Sequence, residues 1–104
     1  MGSQGVLLGQ ITDDAESDKR RTASRAELRG LVERQGYKCA LSGVQLDPDI
    51  AELDHIVPVA DGGWHDVGNL QVLHRAINRM KGQLSNDEFI RWCRLVATWS
   101  QRHA

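Results

Sequence analysis

Apolar residues recur at helical spacing near both ends of this chain, with short strand-like runs between. Leu28, Leu31 and Val32 give an i, i+3, i+4 stripe. Ahead of it, Ser24-Arg25-Ala26-Glu27 reads as a capping box, in which a serine oxygen and a glutamate carboxylate satisfy free amides of a first turn. Gly36 suits the left-handed residue that closes a helix, so a helix is predicted over about residues 25–35. Cys39, Leu41, Val44 and Leu46 surround the turn signal Ser42-Gly43, and Asp47-Pro48-Asp49 marks a loop. Ala51 to Val57 has the content of a short strand that Pro58 stops, and Asp61-Gly62-Gly63 belongs to the loop that follows. Leu70 to Leu73 reads as the returning strand, and Arg75 to Lys81 as a short helix ended by Gly82. A second capping box, Ser85 to Glu88, opens a C-terminal helix. Its stripe of Phe89, Trp92, Cys93, Val96 and Trp99 is expected to be core, packed over a small ββα unit.

Residues 1–23 lack sustained periodicity and read as a flexible arm, leaving residues 24–104 as one domain. Lys19-Arg20-Arg21 in that arm lies among Asp13, Asp14, Glu16 and Asp18, which favours a solvated segment over a nucleic-acid contact. A length of 104 residues, 40% of them apolar, is enough for one modest core and therefore for one catalytic or binding module. No apolar run approaches a bilayer span, and the N-terminus lacks the order of a secretory signal, so a soluble, cytoplasmic protein without a membrane partner is expected. Cys39 and Cys93 lie far apart and form no spaced framework, which fits a reduced compartment and no disulfide.

The net charge of −1 offers no general attraction to nucleic acid, but its distribution is uneven. From His74 onward, Arg75, Arg79, Lys81, Arg91, Arg94 and Arg102 stand against only Asp87 and Glu88. Taken alone, such a run is most often a set of solvated helix faces.

Asp54-His55-Ile56-Val57-Pro58, Gly62-Gly63, Asn69-Leu70-Gln71 and Asn78-Arg79-Met80-Lys81-Gly82 together resemble the signature of the HNH endonucleases. The resemblance runs over roughly residues 37–82 and rests on several ordered elements. It implies an α+β fold with a ββα-metal core, here flanked by an N-terminal and a C-terminal helix. It also implies a single catalytic metal held at Asp54 and Asn78. Their hard oxygens suit Mg²⁺, with Mn²⁺ or another divalent ion as a substitute. Alone, Asp54 would be read as a strand-end acceptor and Asn78 as an ordinary polar helix residue.

His55 is the candidate general base, since an imidazole of pKa about 6.5 takes a proton from water near neutrality. Adjacent strand residues point to opposite faces, so Asp54 and His55 address one phosphate only if the strand ends or bulges there. Asn69, as the resemblance implies, has a structural role: its side chain holds the intervening loop by bonds to backbone. Arg75, Arg79 and Gly82 share one stripe of the short helix and Ile77, Met80 and Leu84 another. That division buries the second and leaves Arg75 and Arg79 for phosphate, with Lys81 beside them. His74 is read as a cap at the strand-helix junction, with the metal region as the other reading. His65 follows Trp64 in a loop where histidines are usually solvated, and is kept as a candidate for the leaving oxygen.

Many proteins of the resembling family carry two Cys-x-x-Cys pairs that hold a structural zinc. Here the corresponding places are Cys39-Ala40-Leu41-Ser42 and His74-Arg75-Ala76-Ile77, which lack the members of a closed tetrahedral site. Structural Zn²⁺ is not expected, and packing of Tyr37, Leu41, Ile77 and the tryptophan stripe is expected in its place. The reading is a Mg²⁺-dependent endonuclease that cuts one strand of DNA per site. Against it stand a non-catalytic DNA-binding or partner-binding module on the same fold, and an RNA-cleaving nuclease. A homodimer, a partner protein and a phage or mobile-element setting are left open by these residues.

Overall fold

The computed structural model describes residues 24–64 and 66–104. The arm assigned to residues 1–23 and the candidate His65 lie outside the described residues. Helix α1 (Arg25–Arg34) is followed by strand β1 (Ala51–His55), strand β2 (Leu70–His74), helix α2 (Arg75–Lys81) and helix α3 (Asn86–Arg102). The α+β architecture with a ββα centre is the one the sequence predicts.

Helix α1 starts where its capping box places it. Ser24 Oγ accepts from the Glu27 amide at 3.1 Å, while Glu27 Oε1 accepts from the Ser24 amide at 2.8 Å. Leu28 and Val32 are its buried residues. Past its end, Gly36 and Tyr37 both take positive φ, at 65° and 60°. That turn lets the Tyr37 amide reach back to the Val32 carbonyl and its own carbonyl accept from the Leu46 amide. Tyr37 is 49% exposed, so it serves the finger through its backbone and not through the side-chain packing expected of it. The side chain of Gln35 bonds both backbone groups of Val72, donating to its carbonyl at 3.0 Å and accepting from its amide at 3.0 Å, which ties α1 to β2.

Strands β1 and β2 pair antiparallel, from Ala51 opposite His74 to His55 opposite Leu70. Val72 and Leu73 are fully buried and join Val32, Cys39, Leu46 and Ala51 in the main core, against which Leu41, Leu53 and Ile77 pack. Cys39 therefore sits within apolar packing. Both cysteines are free.

The stripe of α3 departs from expectation. Phe89 is buried, but Trp92, Val96 and Trp99 are 51, 67 and 65% exposed. The finger gives α3 a seat near its start and nothing to cover this side of its later turns. Helix α2 also differs. Met80, expected inside, is 64% exposed, and its inward positions are the polar Asn78 and Lys81. Among the described residues no helix is long and apolar enough to cross a membrane.

Candidate active site

Residues two apart on a strand share a face, and so do residues three apart on a helix. Glu52 and Asp54 of β1 meet Asn78 and Lys81 of α2 on those terms. Asn78 Nδ2 donates to Glu52 Oε1 at 2.6 Å, and Lys81 Nζ donates to Asp54 Oδ2 at 2.7 Å. All four side chains are buried. A carboxylate only accepts, so the Asn78 amide must turn its NH₂ toward Glu52 and its oxygen away. That oxygen, Oδ1, is buried and has no hydrogen-bond partner among the described residues.

Asp54 is further fixed by β2. Gln71 Nε2 donates to Asp54 Oδ2 at 3.0 Å and to Asn86 Oδ1 at 2.7 Å, while Asn86 Nδ2 returns a bond to Gln71 Oε1 at 3.0 Å. The Asn86 amide also donates to the Ile56 carbonyl at 3.2 Å. The first turn of α3 is thereby fastened to the site.

Strand β1 ends at His55, and the chain bends through Ile56 and Val57 into Pro58. At this strand end Asp54 and His55 line the same cleft of about 320 Å³, with Pro58, Val59, Lys81 and Gly82 around them. Both residues thus border one cleft although they are neighbours in the paired strand.

Asn69 holds the loop across this end of the sheet. Its Oδ1 accepts from the Val57 amide at 3.0 Å, and its Nδ2 donates to the carbonyls of Val57 and Trp64 at 2.9 and 2.8 Å. Gly63 lies so close beneath that a Cβ there would come within 1.9 Å of the Val57 oxygen. No other residue type fits without moving the loop.

Other candidates are dispersed. His74 Nδ1 accepts from the Ala76 amide at 2.9 Å and caps α2. Arg79 is exposed and Arg75 half-buried. Lys81, expected to contact phosphate, is 1% exposed and is spent on Asp54 Oδ2 and the His55 carbonyl. Its burial follows from the three-residue step that sets it beside Asn78. Burial works against ionisation of the Cys39 thiol. Hydrogen bonding with the Ser42 hydroxyl and with backbone groups of His74, Leu41 and Ser42 outweighs it and holds the thiol below its ordinary pKa.

Three polar side chains at this site were given no role in the sequence reading, Glu52, Gln71 and Asn86. The alternation Glu52-x-Asp54 carries the signal for the first. For Asn86 no local pattern exists, because its partner Gln71 lies across the fold.

Residues 36–84, which hold every strand and helix residue around the cleft, match the family of HNH endonucleases. This segment belongs to the HNH endonuclease family. HNH proteins are nucleases that act on DNA and generally use divalent metal ions. No curated protein matches the chain. Among the described residues no three His, Cys, Asp or Glu side chains cluster as a ready-made metal cage. One carboxylate and one amide oxygen would be enough protein ligands only for an ion that completes its sphere with water and phosphate.

Proposed function

We propose that this chain is a divalent-cation-dependent endonuclease that hydrolyses DNA phosphodiester bonds, one strand per site, in the reducing cytoplasm that its free cysteines suit. The observation that carries the reading is Asn78 Oδ1, a buried acceptor without a partner among the described residues. Leaving such a group unpaired costs about 1–3 kcal/mol, and a hard cation shared with Asp54 would satisfy it. Asp54 and Asn78 would hold the ion, Mg²⁺ by preference and Mn²⁺ as a substitute. When bound, it would supply stabilisation of charge on the phosphate and the leaving oxygen.

The remaining work falls to the chain's own groups. His55, which lines the cleft, accepts the proton of the attacking water. Glu52 holds the Asn78 amide by its nitrogen, which leaves the amide oxygen as the end that would be offered to an ion. Lys81 and Gln71 pin Asp54 by one oxygen. Asn69 holds the strand-end loop so that His55 keeps its bearing. Arg79 and Arg75 of α2 would contact the DNA backbone in this reading, and their guanidinium groups suit phosphate.

A plasmid-nicking assay tests this. Supercoiled DNA is expected to become open-circular with Mg²⁺, to stay intact with EDTA, and to stay intact with Asn78→Ala. Cleavage undiminished by EDTA overturns the metal assignment. Binding without cleavage in any divalent ion favours a scaffold over an enzyme, and cleavage of labelled RNA alone overturns the substrate.

A further inference from the structure

Helix α3 carries two apolar sides. Phe89, Ile90, Cys93 and Ala97 line a groove against Leu41 and Ile77 of the finger. Trp92, Leu95, Val96 and Trp99, at i, i+3, i+4 and i+7, form a second strip that is 51, 50, 67 and 65% exposed. A continuous strip of this kind is unusual on a monomer and marks an interaction surface.

Charge along the helix selects the occupant. Glu88 stands about two turns before Leu95 and Arg102 about two turns after it, both on the side of the strip. A second copy laid antiparallel, with its two-fold axis at Leu95, sets each Glu88 against Arg102 of the other copy. The same arrangement brings Trp92 near Trp99 and opposes the two helix dipoles. A parallel pair would instead set Glu88 on Glu88, Arg91 on Arg91 and Arg102 on Arg102. Both tryptophans are already restrained. Arg91 Cζ lies 5.5 Å from the Trp92 ring centroid, and the Trp99 ring stacks on His103 at 3.5 Å. Ordering them on association therefore costs little.

We infer that α3 is a self-association surface through which two copies of this chain pair antiparallel about Leu95. A two-fold axis makes the interface self-complementary, as the reciprocal Glu88 and Arg102 contacts require. This pairing does not depend on the nuclease reading. With that reading, it gives the dimer two strand-cutting sites.

Sedimentation equilibrium of the full chain tests it. The wild type is expected to reach dimer mass in the micromolar range. Leu95→Glu, at a half-exposed position, is expected to be monomeric with unchanged circular dichroism. Arg102→Glu is expected to weaken association about tenfold, since both symmetric pairs are lost together. Glu88→Arg combined with Arg102→Glu is expected to restore it. In a Cys93→Ala background, Leu95→Cys is expected to form a symmetric disulfide on oxidation. A wild type still monomeric at about 100 μM overturns the inference. So does a Leu95→Glu dimer, or a double charge reversal no tighter than the single one.

Discussion

Glu52 grips the amide nitrogen of Asn78 at 2.6 Å, and by doing so decides where the amide oxygen points. The carboxylate is a positioning group for a proposed metal ligand, and groups in that position typically change affinity or activity by about 10–100-fold when removed. Glu52→Ala is expected to raise the half-saturating Mg²⁺ concentration in nicking by about that factor. Glu52→Gln keeps an acceptor oxygen and is expected to recover most of it. A Mg²⁺ titration unchanged in Glu52→Ala would show that Asn78 needs no such guide.

His55→Ala is expected to slow cleavage by about 10²–10⁴-fold, the usual worth of a general base. DNA affinity, measured by fluorescence anisotropy, is expected to stay within a few-fold of wild type, because the arginines of α2 are untouched. Full cleavage in this variant would remove His55 from the mechanism.

Lys81 and Asp54 form a buried ion pair, and removing one partner strands the other. Lys81→Met is expected to lower unfolding free energy by about 3–5 kcal/mol, read from urea denaturation. Lys81→Met combined with Asp54→Leu replaces both charges with apolar groups and is expected to be more stable than the single variant. A stability unchanged in Lys81→Met would mean that its amine is not holding the carboxylate.

Gly63→Ala places a methyl against the Val57 carbonyl. The loop must shift, with an expected loss of about 1–3 kcal/mol, and cleavage is expected to fall with it because Asn69 loses its fit to Val57 and Trp64. Normal thermal stability together with normal nicking would show the loop to be more pliant than its hydrogen bonds suggest.

Cys39→Ser is expected to retain the fold at some cost in stability, since a hydroxyl enters an apolar cluster. Elemental analysis is expected to find no stoichiometric zinc in either protein. One zinc per chain, lost in the variant, would contradict this.

The elements were legible because their signals are local. Ser24 and Glu27 announce α1 within four residues, and Gly82 closes α2 where the pattern says it does. The convergence of Asp54, His55 and Lys81 on one cleft was harder to read, because it depends on where β1 ends. Lys81 was misplaced for a physical reason. A short helix is usually oriented by its apolar residues, whereas α2 turns a polar side inward to meet two carboxylates and leaves Met80 outside. The stripe on α3 was visible, but amphipathicity says only that a face needs a cover, and the finger covers a different one.

The grip of Gln35 on Val72 has a consequence beyond joining α1 to β2. A two-stranded ribbon has two open edges, and the outer flank of β2 is one of them, an invitation to any passing chain to polymerise. Here both backbone groups at the midpoint of that flank are occupied by one glutamine, with the Ala40 amide also on the Val72 carbonyl. Strand addition along β2 is blocked at the centre of that edge by a side chain from α1.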